Sequence, residues 1–144
     1  MTERLRVLPA ALAERAKRYA AGGVAPVQPK PAATVVLLRP DPATGQPQAY
    51  LLRRARSMAF AGGMYAFPGG SVDPRDADQQ LGWAGPSASQ WAARLGSSEA
   101  EARMLVCAAV RETFEESGVL LAGPSGDSVV ADLSDPGWER DRRA

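Results

Sequence analysis

The sequence predicts an α/β domain in which one long helix packs on a mixed or antiparallel sheet, and three observations predict it. Residues 99–117 run without glycine or proline between Ser98, a helix-capping residue followed three positions later by Glu101, and Gly118, a helix stop. Residues 33–39 and 48–54 are short runs rich in leucine and β-branched or aromatic residues, separated by Pro42, Gly45 and Pro47, which spells a hairpin. Met64-Tyr65-Ala66-Phe67 stands between Gly62-Gly63 and Pro68-Gly69-Gly70, so a short strand over 65–67 should run into a tight glycine turn. At 144 residues the chain fits one domain.

The elements follow in order. Residues 7–21 are rich in Ala, Leu, Glu, Arg and Lys, with Pro9 tolerable in a first turn and Gly22-Gly23 as a stop, and predict a helix. Pro26, Pro29 and Pro31 make 24–31 an extended linker. Residues 1–23 are thus an N-terminal helical extension, 24–31 a Pro-rich linker, and 32–144 the main domain. Ser87 or Ser89 could cap a short helix reaching Leu95, with Trp91 as its apolar anchor. In helix 99–117, residues placed at about 100° intervals put Glu112, Glu115 and Glu116 on one side and Val106, Cys107, Val110 and Phe114 on the other. The expectation is an apolar back on the sheet and a carboxylate front, with small Ala108 and Ala109 leaving room beside that front. Beyond it, 122–127 reads as a loop, 135–137 as a turn, and 138–144 as the first turns of a helix.

Composition narrows the chemistry. With 45% hydrophobic and 23% charged residues and a net charge of +1, the chain has no bulk electrostatic basis for binding nucleic acid or an anionic membrane. Its apolar runs are too short to span a bilayer and Met1-Thr2-Glu3-Arg4 does not open a signal peptide, which predicts a soluble, cytoplasmic protein. Cys107 is the single cysteine and, in an apolar helical stretch, reads as a buried structural thiol. Histidine is absent, which removes serine–histidine triads and histidine metal sites and leaves carboxylates, lysine or tyrosine for proton transfer.

The chemistry concentrates in Arg111-Glu112-Thr113-Phe114-Glu115-Glu116-Ser117-Gly118-Val119. Carboxylates at i, i+3 and i+4 share a helix face and, uncompensated, destabilise the helix by roughly 0.2–0.5 kcal/mol per pair. A glutamate pair near a helix end is commonly a solvated face, but a cluster this dense suits a hard cation with oxygen ligands. Arg111 can pair with one carboxylate and fix its rotamer. Gly69-Gly70 would let backbone N–H groups approach phosphate oxygens, or be a plain turn. Arg54 and Arg56, sent to one face by strand alternation, are candidate phosphate clamps, or with Arg53 a charged strand edge. Trp83, Trp91 and Trp138 read as packing residues, with Trp83 or Trp91 alternatively forming a lid or stacking wall.

These residues resemble the signature of the Nudix hydrolases: Gly, five residues, Glu, seven residues, then Arg-Glu-U-x-Glu-Glu-x-Gly-U, with U apolar. The second half matches 111–119, departing at Thr113. The first half reads as Gly70, five residues, then Asp76 in place of the glutamate, and 34 residues rather than seven separate Asp76 from Arg111. The excess is an insertion at about 77–97. With Met58-Ala59-Phe60 and the stretch 67–73, the pattern is similar to the acyl-CoA diphosphatase-like branch over about 32–122, although Leu51-Leu52-Arg53-Arg54 only partly matches the coenzyme A motif of related enzymes.

The resemblance implies an α/β/α sandwich with a mixed sheet, a diphosphate-cleaving activity on a nucleoside-diphosphate-linked small molecule such as an acyl-CoA, and Mg²⁺ or Mn²⁺ as cofactor. It implies Glu112, Glu115 and Glu116 as metal ligands, Glu112, Arg111 and Glu115 as catalytic residues with Glu112 helping to deprotonate water, and Gly69, Gly70, Arg54 and Arg56 as substrate contacts. Only 26 residues follow Gly118, where such folds continue with further strands and a helix. The expectation is therefore a sandwich incomplete at its C-terminus, which dimerises or binds its missing half; the alternative to the enzyme is a catalytically incomplete binding or dimerisation module.

Overall fold

The structure, a computed structural model, describes residues 9–143. Helix α1 (Ala10–Ala20) is the N-terminal extension; it starts after Pro9, has no side-chain cap and buries none of its residues. The start predicted at Val7 lies outside the described residues. The linker 24–31 forms no helix or strand.

Six short strands follow: β1 (Ala32–Thr34), β2 (Leu38–Pro40), β3 (Pro47–Ala49), β4 (Leu52–Arg53), β5 (Tyr65–Ala66) and β6 (Gly69–Ser71). They pair antiparallel in three two-stranded ribbons, β1 with β6, β2 with β3 and β4 with β5. The hairpin expected around residues 42–47 is β2–β3. Its turn is set by Asp41, whose Oδ1 accepts the Ala43 and Thr44 N–H groups at 2.9 and 2.8 Å, and by Gly45 at φ +68°. Each predicted hairpin strand, however, changes partner midway. Val35 N–H still bonds the Pro68 carbonyl beyond β1–β6, whereas the Leu37 carbonyl already accepts from Tyr50 beside β2–β3. Likewise 48–54 divides between β3 and β4. The strand predicted over 65–67 ends at Ala66, because Phe67 precedes Pro68, which has no N–H to continue a ladder.

A 3-10 turn (Pro74–Ala77) leads out of β6, closed by a reciprocal pair of bonds between Asp73 and Asp76. Helix α2 (Ala88–Leu95) begins at a full Ser87–Gln90 capping box and stops at left-handed Gly96, as its sequence signals require. Helix α3 (Glu99–Ser117) starts where the Ser98 hydroxyl accepts the Glu101 N–H at 3.1 Å and ends at left-handed Gly118. Helix α4 (Pro136–Arg142) is capped by Asp135.

The faces of α3 differ from the expected division. Its buried residues are Ala102, Ala108 and Thr113, and the elements against it are α2, β1, β6 and the 3-10 turn. The carboxylate side therefore packs on the β1–β6 ribbon, while Val106, Cys107, Val110 and Phe114 are only half-buried. Close approach of a helix to a glycine-containing ribbon selects small side chains at the contact, so Ala108 is filled space, not room for a ligand. On the far side the Phe114 and Trp138 rings meet edge to face with centroids 6.2 Å apart, joining α4 to α3. Among the described residues the buried apolar side chains are Pro68 and three alanines, Ala92, Ala102 and Ala108. The segment 77–97 folds back on α3 through α2.

Candidate active site

The site is built where α3 crosses the β1–β6 ribbon. Gly69 takes φ +152° and lies so close to β1 that a Cβ would strike the Ala33 carbonyl; a Cβ on Gly70 would strike the Glu112 carboxylate. Both glycines serve the helix. Gly70 lets Glu112 lie against the backbone, and the Gly69 N–H is donated to Glu116 Oε2 at 2.9 Å. The tight turn expected at 69–70 is instead the strand β6, and the Gly69 N–H expected to face a phosphate is engaged by Glu116.

Arg111 is the hub. Its Nε donates to Asp76 Oδ1 and its Nη2 to Asp76 Oδ2, both at 3.0 Å; Nη2 also reaches the Ser71 carbonyl at 3.0 Å; Nη1 donates to Glu112 Oε1 at 2.9 Å and Glu115 Oε2 at 3.2 Å. Five bonds match the five N–H groups of a guanidinium. The side chain is 18% exposed. Asp76 raises the guanidinium's proton affinity above its ordinary value, burial opposes this more weakly, and Glu112 adds to it. Asp76, at 3% exposure, is the most buried charged side chain described. Its Oδ2 also accepts the Asp73 N–H at 2.8 Å. Arg75 bonds Asp73 at 3.1 Å and approaches Glu115 at 3.9 Å.

Four carboxylates, Asp73, Asp76, Glu112 and Glu115, thus share two guanidiniums, Arg75 and Arg111, and a fifth, Glu116, accepts only the Gly69 N–H among the described residues. This excess of negative oxygen donors has the chemistry of a Mg²⁺ or Mn²⁺ site. The three predicted ligands do not converge as they stand, and no group of three such side chains among the described residues is gathered for a metal ion. Arg111 draws Glu112 and Glu115 toward itself, while Glu116 turns to Gly69. Donor type fits a hard cation; Glu112, Glu115 and Glu116 are the residues that would hold it.

The structure brings Arg111, Glu112, Glu115, Glu116, Gly69 and Gly70 together, but not the predicted clamps. Arg54 Nε donates to the Phe60 carbonyl at 3.3 Å, and the Arg56 stem lies beside Gly63. Neither forms an ion pair with a site carboxylate among the described residues. The tryptophans pack: Trp83 under Arg103, Trp91 under Arg94 and Trp138 on Phe114. Cys107 is half-buried, not fully buried, and burial raises its thiol pKa, which keeps it protonated and unreactive near neutrality. Asp76 was absent from the predicted site residues; its signal was the five-residue spacing from Gly70.

The chain is similar in structure to the NUDIX hydrolase from Alicyclobacillus acidocaldarius, over 80% of this chain, at 30% sequence identity and a TM-score of 0.61. It spans 49% of that protein's chain. No family model and no curated protein matches it. The likeness supports assignment to the Nudix family, and the mixed α/β arrangement of helices and short antiparallel strands is a Nudix-like fold. No helix among the described residues is long and apolar enough to cross a membrane.

Proposed function

We propose that the chain carries the site of a Nudix-type hydrolase that cleaves a diphosphate linkage in a nucleoside-diphosphate-linked small molecule, with acyl-CoA as the first substrate class to test. The observation that carries this reading is the Arg111 hub, which bonds Glu112 and Glu115 on the same helix end from which Glu112 lies on Gly70 and Glu116 accepts the Gly69 N–H. Bound Mg²⁺ or Mn²⁺ would supply charge neutralisation of the diphosphate. Glu112, Glu115 and Glu116 would hold it. Glu112 would accept a proton from an attacking water, a role its contact with Gly70 and its partial shielding support. Arg111 holds Glu112 and Glu115 in register and, being bonded at all five N–H groups, acts as a positioning cation, not as a phosphate contact.

The test is phosphate or nucleotide release from acyl-CoAs, ADP-ribose, NADH and nucleoside triphosphates with Mg²⁺ or Mn²⁺, comparing the chain with Glu116→Gln. Metal-dependent release lost in the variant supports the reading. No release by a folded, metal-supplied chain counts against it. A second reading, a binding or dimerisation module without a complete active site, is favoured by one observation: Leu38 and Tyr65 on the ribbons and Phe60 and Met64 in the β4–β5 connection are each more than 60% exposed, while the buried apolar side chains are only Pro68 and three alanines. Metal-dependent turnover by the chain alone separates the two: the first reading predicts it and the second predicts none.

A further inference from the structure

We propose that Arg103 is a positioning residue for the carboxylate site, acting through the chain segment that leads from β6 into α2; the proposal rests on the hydrolase reading above. Arg103 Nη2 donates to the Leu81 carbonyl at 2.8 Å and meets the Asp78 carbonyl at 3.5 Å. Its guanidinium carbon lies 4.9 Å from the centre of the Trp83 ring, and the Trp83 Nε1–H is donated to the Pro86 carbonyl at 2.7 Å. Arg103 therefore grips three points of the segment 78–83 and, through Trp83, its continuation at Pro86. Arg111 grips the same segment upstream, at the Ser71 carbonyl and at both oxygens of Asp76.

The two arginines are eight residues apart on one helix, about 12 Å along its axis, with Cys107 midway at i+4 from each. The segment 71–83 forms a strap along α3, pinned at each end by an arginine. Only Ala77 separates Asp76, which holds Arg111, from Asp78, which Arg103 touches. Releasing the Arg103 end leaves residues 79–83 held only by α2 downstream and, upstream, by the Asp78 N–H on the Arg75 carbonyl next to the Asp76–Arg111 pair. That pair sets where Arg111 presents Nη1 to Glu112 and Glu115. Both carbonyls are met by Nη2 alone, so what lysine cannot reproduce is the guanidinium plane over the Trp83 ring.

The experiment compares the wild type with Arg103→Met, which keeps the apolar stem, and Arg103→Lys, which keeps the charge, reading steady-state kinetics and the rate of Cys107 labelling by a thiol reagent. Both variants should lose about tenfold in kcat with KM within about twofold, and Cys107 should label about tenfold faster as the strap loosens. Faster labelling with unchanged kcat would overturn the positioning role, as would full rescue by lysine. A labelling cycle with Asp76→Asn is independent of turnover: the double variant should label no faster than the faster single one, and multiplicative rates would overturn the coupling. If the wild type hydrolyses nothing, the hydrolase reading fails while this cycle still decides the strap.

Discussion

Removing the Asp76 carboxylate is the sharpest perturbation of the site's framework. Asp76→Ala deletes two charge-assisted bonds to Arg111 and the bond from the Asp73 N–H, and leaves a guanidinium at 18% exposure facing a gap. Breaking a fully buried pair in this way costs about 3–5 kcal/mol. Arg111 keeps Glu112, Glu115 and the Ser71 carbonyl, so the lower end applies, about 3 kcal/mol. Asp76→Asn keeps the shape and one acceptor, and should cost about 1–1.5 kcal/mol. At about 3–4 °C per kcal/mol for a chain of this size, the midpoints should fall by about 10 °C and about 4 °C. Thermal and urea unfolding followed by circular dichroism measure both. A loss under about 0.5 kcal/mol in Asp76→Ala would refute the claim that this pair organises the site.

Other expectations follow from single contacts. Gly70→Ala places a methyl on the Glu112 carboxylate, so turnover should fall about 100-fold while far-ultraviolet dichroism stays unchanged; retained activity would show that Glu112 is not needed there. Thr113 is fully buried with an unpartnered Oγ1, so Thr113→Val should stabilise by about 1 kcal/mol or more, seen as a higher urea midpoint; a destabilised variant would mean the hydroxyl is bonded. Glu139, held by Arg142 and then Arg143, titrates at about 2 instead of 4.5. A depressed carboxylate stabilises the fold above its unfolded value and loses that contribution as pH falls from about 4.5 toward 2. Carbon NMR of Glu139 should follow that course, and a midpoint near 4.5 would dismiss the α4 pairings.

What the sequence made legible was local. Ser87, Ser98 and Gly118 mark ends of α2 and α3 because caps and left-handed stops act within one turn of chain. Gly45 marked the hairpin turn for the same reason, while the part of Asp41 in it showed only in the structure. The site residues on α3 were legible as a motif, yet their partners lie far along the chain: Asp76 is 35 residues from Arg111 and Gly69 is 47 from Glu116. Strand partners were illegible too, since nothing local to Val35 tells the chain that β1 ends there and β2 will find β3. The helix face was misjudged because apolar character pointed to Val106, Val110 and Phe114, whereas closeness of approach decided the contact and chose Ala102, Ala108 and Thr113.

The central claim, that Glu112, Glu115 and Glu116 form a cation-binding site organised by Arg111, is tested most directly by titrating the chain with Mn²⁺ and following the free-ion signal by electron paramagnetic resonance. The account predicts saturable binding that weakens at least about tenfold in Glu112→Gln and in Glu116→Gln. Equal Mn²⁺ affinity in wild type and both variants would contradict it.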